Sequence, residues 1–271
     1  MVVASFFFFG LIIGSFLNVL ILRWGKQTLG GRSACVSCGT TLAWHDLIPI
    51  LSWAILLGRC RYCGARISSQ YVLVELTTAL LFLIVGCAPL PLFIRIFSLP
   101  IVAILIAIAV HDFRTTLMPN AWVYAFCALS LFTILFFPPQ NLSDALAALI
   151  AGPLVALPLF ALWYISDGAW MGFGDVKFAL GMGWLLGLGD GIIALFFAFV
   201  IGALVSVPLL FFSSPGWKRV RTSFTPSSRS QNHSRSYTMK SEIPFGPFLV
   251  ASTLIVWLST IYGFVPLELL V

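Results

Sequence analysis

The stretch ASFFFFGLIIGSFLNVLIL, residues 4–22, contains no charged side chain and is long enough to cross a bilayer as a helix. No small-residue cleavage site follows it, so it is expected to be a retained span and not a cleaved signal peptide. Composition agrees, because 60% of the 271 residues are hydrophobic and only 9% are charged, against roughly 25% in soluble domains. The sequence predicts an all-α polytopic membrane protein with about eight spans: 4–22, 71–88, 92–111, 120–137, 144–165, 175–188, 190–212 and 246–265.

Basic residues identify one face of this predicted bundle. They concentrate in the loop after the first span and in the loop between the last two spans. Only Arg95 lies near the opposite face when eight spans are counted. Cytoplasmic loops of membrane proteins carry an excess of Lys and Arg, so this face is predicted to be cytoplasmic and both termini to lie on the other side. The net charge of +6 is explained by topology, and contact with nucleic acid is not predicted.

The first loop contains two C-x-x-C pairs, with the sequences CVSC and CRYC. Two such pairs at this spacing predict a small zinc-binding module between the first and second spans, since four thiolates complete the tetrahedral shell of a structural zinc. Free or redox-active thiols are the alternative, and His45 is a weaker candidate ligand. The four predicted ligands are Cys35, Cys38, Cys60 and Cys63.

An apolar linker, LAWHDLIPILSWAILLG at residues 42–58, joins the two cysteine pairs. Pro49 interrupts it, and it is too short to span a bilayer. Two placements are open at this point: the linker packs on the cysteine module, or it lies at the membrane surface.

Two carboxylates are predicted at the same depth in the bundle. Asp112 lies at the inner end of the third span, and Asp175 opens the sixth, within MGFGDVKFALGMG at 171–183. Acids at the edge of a membrane segment are costly and tend to face the bundle interior and to mark function. The alternative is a pairing of Asp112 with Arg114 and a helix-start role for Asp175 beside Lys177.

Two close carboxylates share a proton, so that one acts as a base and the other as an acid. That is the arrangement of an aspartic protease. Gly172 and Gly174 remove side chains beside Asp175, which lets another helix or a substrate strand approach. Of the remaining aspartates, Asp144 and Asp190 are expected to be solvated or to start helices and Asp167 to be solvated, while Asp46 lies in the cysteine loop.

These motifs, taken in order, resemble the type IV prepilin peptidases, which are membrane aspartic proteases with a GxGD motif. The resemblance covers nearly the whole chain and rests on GSFLNVLILR at 14–23, the cysteine pairs, ISSQYVLVEL at 67–76, the Asp112 segment, GFGD at 172–175 and IPFGPFL at 243–249. The family usually has an acid where this chain has Asn120, and a proline where it has Val72.

The resemblance implies an activity. A member of this family would sit in the bacterial inner membrane and cleave the leader of a prepilin or pseudopilin at the cytoplasmic face. Asp112 and Asp175 would be catalytic, with support from Gly172, Gly174 and Lys177. Many members then methylate the new N terminus with S-adenosylmethionine, but the sequence identifies no residues that bind it. Glu75 is either polar lining of the site or a structural pairing residue.

The predicted organisation follows from these features, and the oligomeric state is not predicted. The proposed divisions are 1–22 as first span, 23–70 as cytoplasmic zinc-binding module, 71–212 as catalytic core, 213–242 as a basic, flexible cytoplasmic loop, and 243–271 as last span and tail. Two other functions are compatible with the pattern: a non-catalytic scaffold that carries zinc, and a proton-coupled transporter that uses the two aspartates as a relay.

Overall fold

A computed structural model describes residues 2–25, 28, 30–136, 141–213 and 244–263. Within these residues the chain is built from helices, and the only strand-like pairing consists of isolated bridges in the first loop. The α-helices are α1 (Val2–Arg23), α2 (Leu51–Ile55), α3 (Gln70–Cys87), α4 (Leu92–Thr115), α5 (Asn120–Phe136), α6 (Leu142–Ile165), α7 (Phe173–Leu186), α8 (Leu188–Ser213) and α9 (Gly246–Ile261).

Each of the eight predicted spans coincides with one of these helices, α2 being the additional short one. Five of them, α1, α3, α4, α6 and α8, are long and apolar enough to cross a membrane. The shorter α5 and α9 have 17 and 16 residues, and α7 has 14. The chain is therefore a multi-pass membrane protein, and the number of eight spans stays a prediction. The predicted basic loop at 213–242 lies, after its first residue, outside the described residues.

Glycines allow α1 and α3 to pack closely. A Cβ atom on Gly10 would lie 2.6 Å from the Cα of Ala79, and one on Gly14 would lie 2.7 Å from the Cα of Glu75. Only glycine allows two backbones to approach this closely, as in other membrane helix pairs. The contact fixes the register of α1 against α3 and thus the position of everything attached to their ends.

Helix α7 is the central element, because it packs against α5, α6, α8 and α9. Its glycines again make the contacts possible. A Cβ on Gly183 would meet the carbonyl oxygen of Ala151 at 2.6 Å, and one on Gly181 would meet the ring of Phe126 at 2.8 Å. A helix of 14 residues is thus enclosed by longer neighbours, and its first turn lies at the end of the bundle where α1 ends and α3 begins. We call this the module end, because the cysteine module is attached there, and the opposite one the far end.

Candidate functional site

Asp112 and Asp175 both lie at the module end and are both buried. Asp112 occupies the last turn of α4 and is 4% exposed, and Asp175 occupies the first turn of α7 and is 8% exposed. The two carboxylates are close enough to interact electrostatically. Two acids that lie far apart in the sequence are therefore buried at the same end of the bundle, at the matched depth that the sequence predicts.

The start of α9 completes the surroundings of Asp112. The backbone N–H of Gly246 donates a hydrogen bond to Oδ2 of Asp112 at 3.0 Å. A Cβ on Gly246 would lie 2.5 Å from that same oxygen and would also overlap the end of the Met118 side chain. Met118 in turn lies against Gly174, whose Cβ would be 3.2 Å from the Cβ of Met118. The site is thus assembled from α4, the loop after it, α7 and α9.

Sequence reasoning missed Gly246 and Met118 as parts of this site. The IPFGPFL motif marked the start of the last span, but nothing in the local pattern pairs its glycine with Asp112, 134 residues earlier. The only signal was a glycine held between Phe245 and Pro247 at a helix start, where backbone N–H groups have no partner within the helix.

The alternative pairings of the two acids do not occur. Arg114 donates its hydrogen bond to Oε1 of Gln70, at the start of α3. Lys177 donates to Oδ1 of Asn120 at 2.9 Å and lies over the rings of Tyr124 and Phe173. Across the described residues, no lysine or arginine forms an ion pair with either buried aspartate. Within the part of the chain that the structure describes, the two acids are therefore buried without neutralising cations.

The glycines near Asp175 differ in their surroundings. Gly172 is the N-cap of α7, and a Cβ there would make only ordinary contacts, the nearest at 3.8 Å to Oδ2 of Asp175. Gly174 instead faces Met118 closely. Asp175 sits at the third position of the helix, where negative charge is favoured by the unpaired N–H groups. A helix-start role alone would leave the carboxylate in water, whereas this one is buried.

The four predicted cysteine ligands form one cluster, with all sulfur atoms within 4.8 Å of one another. The Sγ atoms of Cys35 and Cys63 are 3.8 Å apart, which matches the roughly 3.8 Å between sulfurs around a tetrahedral zinc with 2.3 Å bonds. His45 does not belong to the cluster. The donor set and its spacing therefore fit a zinc ion.

The two halves of the cluster have the same backbone. Gly39 and Gly64 adopt φ of 71° and 70°, and each donates its N–H to the carbonyl of the first cysteine of its pair, 2.9 Å away in both turns. Hydrogen bonds from backbone N–H groups lower the pKa of the Cys35 and Cys60 thiols, with the N–H of Cys38 and of Cys63 respectively as the main donors. Lowered thiol pKa values favour the thiolate form that binds metal.

Asp46 ties the linker to the second knuckle. Its Oδ1 accepts a hydrogen bond from Nε of Arg61 at 2.8 Å, and its Oδ2 accepts from the hydroxyl of Tyr62 at 3.3 Å. The Arg61 guanidinium holds the pKa of Asp46 below its usual range. Asp46 is therefore a structural residue of the module, with a side chain only 3% exposed.

Two protein-family models match consecutive regions of the chain. The model of the Bacterial Peptidase A24 N-terminal domain matches residues 8–88, and that of the Type IV leader peptidase family matches residues 99–207. The first match contains the cysteine cluster and the second contains both buried aspartates.

Full-length relatives agree with these matches. A protein of Bacillus subtilis (strain 168) is 34% identical over 73% of this chain and 79% of its own length. A protein of Pseudomonas putida is 30% identical over 94% of this chain and 88% of its own length. A protein of Aeromonas salmonicida (strain A449) is 29% identical over 95% of this chain and 89% of its own length. All three are named prepilin leader peptidase/N-methyltransferase. No solved structure matches the chain.

Proposed function

Because the chain belongs to the type IV leader peptidase family, we propose that Asp112 and Asp175 are the catalytic pair with which it cleaves the leader peptide from a prepilin. Its relatives carry both activities in their name, and this chain is likewise a prepilin leader peptidase and N-methyltransferase. The catalytic assignment rests on the burial of two acids at the module end, near enough to interact electrostatically and without a cationic partner in the described part of the chain.

Burial and mutual repulsion oppose a doubly ionised pair, so the two carboxylates hold one proton between them. The ionised carboxylate takes a proton from a water molecule, which attacks the carbonyl carbon of the scissile peptide bond. The protonated carboxylic acid first donates a hydrogen bond to the carbonyl oxygen. A proton then passes to the leaving amine as the bond to carbon breaks. The pair acts as a unit, and its two titration steps belong to both residues.

The N–H of Gly246 has a part in this mechanism. A hydrogen bond from a neutral donor to Oδ2 stabilises the ionised form of Asp112 and fixes the direction of its carboxylate. This arrangement favours Asp112 as the carboxylate that is ionised at the start and Asp175 as the one that holds the proton. Lys177 supports the site indirectly, because it ties the first turn of α7 to the first residue of α5 through Asn120.

The proposed topology places this site at the cytoplasmic face of the inner membrane, with both termini periplasmic. The substrate's apolar helix then lies in the bilayer, and its leader extends into the cytoplasm. Prepilins and the pseudopilins of type II secretion both fit this geometry. An extended segment can reach Asp175 past Gly172, where a side chain is absent and space is open.

Two cofactors are proposed for the same protein. Cys35, Cys38, Cys60 and Cys63 would hold a structural zinc that joins the two knuckles. S-adenosylmethionine would supply the methyl group for the second activity, and we assign no residue to its binding.

The proposal is tested by the intact mass of a prepilin that is incubated with the protein in lipid vesicles, with and without S-adenosylmethionine. Loss of the leader mass in both conditions, and a further methyl mass only with S-adenosylmethionine, is the expected result. An unchanged mass for several prepilins, from protein that is folded and loaded with zinc, would favour the scaffold or transporter functions instead.

A further inference from the structure

Several apolar side chains of the linker at 42–58 are exposed and are not covered by the cysteine module. It contains a 3-10 turn at Trp44–Leu47 and the short helix α2. Trp44 is 78% exposed, Ile55 67% and Leu57 83%. Of the two placements that the sequence left open, packing on the module is therefore excluded for these side chains.

A hydrogen bond fastens the linker to the membrane bundle. The N–H of Ile50 donates to Oε2 of Glu75 at 2.8 Å, and Glu75 is buried on α3. Ile50 has φ 60° and ψ −49°, and the N–H of Leu51 bonds to the carbonyl of Pro49 around it. This is a γ-turn of the strained kind, which is rare for a β-branched residue and persists only when its surroundings hold it. Glu75 thus has the structural pairing role that was one of its two predicted alternatives.

The position of Glu75 along α3 gives the depth of the linker. Helix α3 has 18 residues, which extend about 27 Å at 1.5 Å per residue, so the whole helix is needed to cross a hydrocarbon core of about 30 Å. Glu75 lies about 7.5 Å along the axis from Gln70, and its side chain leans back by part of a turn. Ile50 is therefore level with the first two turns of α3, below the edge of the apolar core.

We propose that residues 47–57 form a re-entrant segment that enters the bilayer beside α3, with Leu51, Ile55 and Leu57 in contact with phospholipid acyl chains. Backbone polar groups are tolerated at that depth only when they are paired. Ile50 meets this condition through Glu75, and the N–H groups of Ala54 and Gly58 bond to the carbonyls of Ile50 and Trp53.

The residues that flank the segment fit a membrane interface. Trp44 precedes it, and indole rings are favoured at the headgroup level. Arg59 and Arg66 follow it in the second knuckle, where cations are attracted to anionic headgroups. The inserted segment would hold the cysteine module against the bilayer at the end of the bundle that carries the two buried aspartates. This inference does not depend on the proposed catalytic roles.

Photo-crosslinking tests the proposal on the full chain. The photoreactive residue p-benzoylphenylalanine replaces Ile55 or Leu57 in protein reconstituted into phosphatidylethanolamine and phosphatidylglycerol nanodiscs. Val36 is the matched control, because it is apolar and 96% exposed but lies within the first knuckle. Mass spectrometry then counts phospholipid adducts after irradiation, and zinc content verifies the fold.

We expect at least roughly fivefold more phospholipid adducts at positions 55 and 57 than at 36, as for an apolar face buried at the acyl boundary. Equal, low lipid yields at all three positions would overturn the proposal. Adducts to a second protein chain at 55 and 57 would also overturn it and identify a protein interface.

The anchor is tested by changing Glu75 while the photoreactive residue stays at position 55. Glu75→Gln keeps an oxygen acceptor for the N–H of Ile50, and Glu75→Leu removes it. We expect the lipid yield to be retained in the first variant and to fall in the second. A yield that is unaffected by Glu75→Leu would contradict the role of Glu75 in setting the depth.

Discussion

The two ends of the bundle carry the same residue type in different surroundings. At the far end, Asp144 is exposed and accepts a hydrogen bond from Asn141, and Asp190 accepts one from Thr260. Both lie in the first turn of a helix, as Asp175 does at the module end. Local sequence explains all three equally well, since helix starts favour negative charge. Burial near a second acid distinguishes Asp175 from the other two, and the proposed catalytic role depends on that difference.

The largest difference between the two ends is expected from removal of the charges. Asp112→Asn or Asp175→Asn removes the shared proton or its acceptor, so cleavage should fall by at least about 10²–10⁴-fold, as when a general acid or base is lost. The measurement is the initial rate of prepilin cleavage in vesicles. Asp144→Asn and Asp190→Asn are the matched controls at the far end and should retain the rate.

If a far-end variant lost cleavage while it stayed folded, the far-end and module-end aspartates would not differ in function, and the proposed catalytic role of Asp112 and Asp175 would lose its support. Circular dichroism and zinc content distinguish that result from unfolding.

Glycines at the two ends provide a second comparison. In Gly246→Ala the new methyl group would lie 2.5 Å from Oδ2 of Asp112, so the carboxylate must move. Displacement of a reacting group by about 1 Å can reduce a rate by about 10²-fold. Gly189→Ala, in the first turn of α8, meets no atom within 4 Å and is the control. Rates of cleavage and melting temperatures measured together should show a loss of rate at Gly246 only, whereas equal rates would show that the Gly246 contact is dispensable.

Cations at the two ends should have smaller effects. Lys177→Met removes the hydrogen bond to Asn120 and the contacts with two rings, a change of about 1 kcal/mol or roughly fivefold in rate. Arg95→Met, at the far end, removes the bond from Arg95 to the carbonyl of Gly86 and should alter stability without altering the rate. If both variants slowed cleavage equally, Lys177 would have no special relation to the site.

The smallest effect on cleavage is expected from the other group at the module end, the cysteine cluster. The wild-type protein should bind about one zinc per chain. Chelation or Cys38→Ser should lower the melting temperature and impair methylation while cleavage persists. Cys87→Ser is the control, since Cys87 lies outside the cluster. Cleavage that stops on chelation and returns with zinc would make the metal part of the peptidase mechanism.

Local sequence pattern was sufficient to predict the helices and the positions of two sets of residues, the cysteines and the buried aspartates. Apolar runs predicted the positions of the long helices, because in lipid the backbone N–H and C=O groups of each run must form hydrogen bonds within that run. The paired C-x-x-C motifs predicted the cysteine cluster because each pair forms its own turn, with Gly39 and Gly64 supplying the positive φ. The matched depth of Asp112 and Asp175 followed from counting spans.

Contacts between distant helices could not be predicted in this way. The bond from Gly246 to Asp112 and the bond from Ile50 to Glu75 both depend on how neighbouring helices are rotated and shifted. That register is set by the packing of small residues such as Gly14 against α3, which no periodicity in a single helix specifies. Nor did the sequence predict that Arg61 and Tyr62 donate hydrogen bonds to Asp46.

The central claim is that Asp112 and Asp175 act as one unit, and a double-mutant comparison tests it most directly. Single-turnover cleavage of a prepilin would be measured for Asp112→Asn, Asp175→Asn and the double variant in the same vesicles. Residues that act as a unit lose nearly all their effect on the first substitution, so the double variant should be no slower than either single variant. Losses that multiply, or a single variant that still cleaves at the wild-type rate, would show that the two carboxylates do not form a catalytic pair.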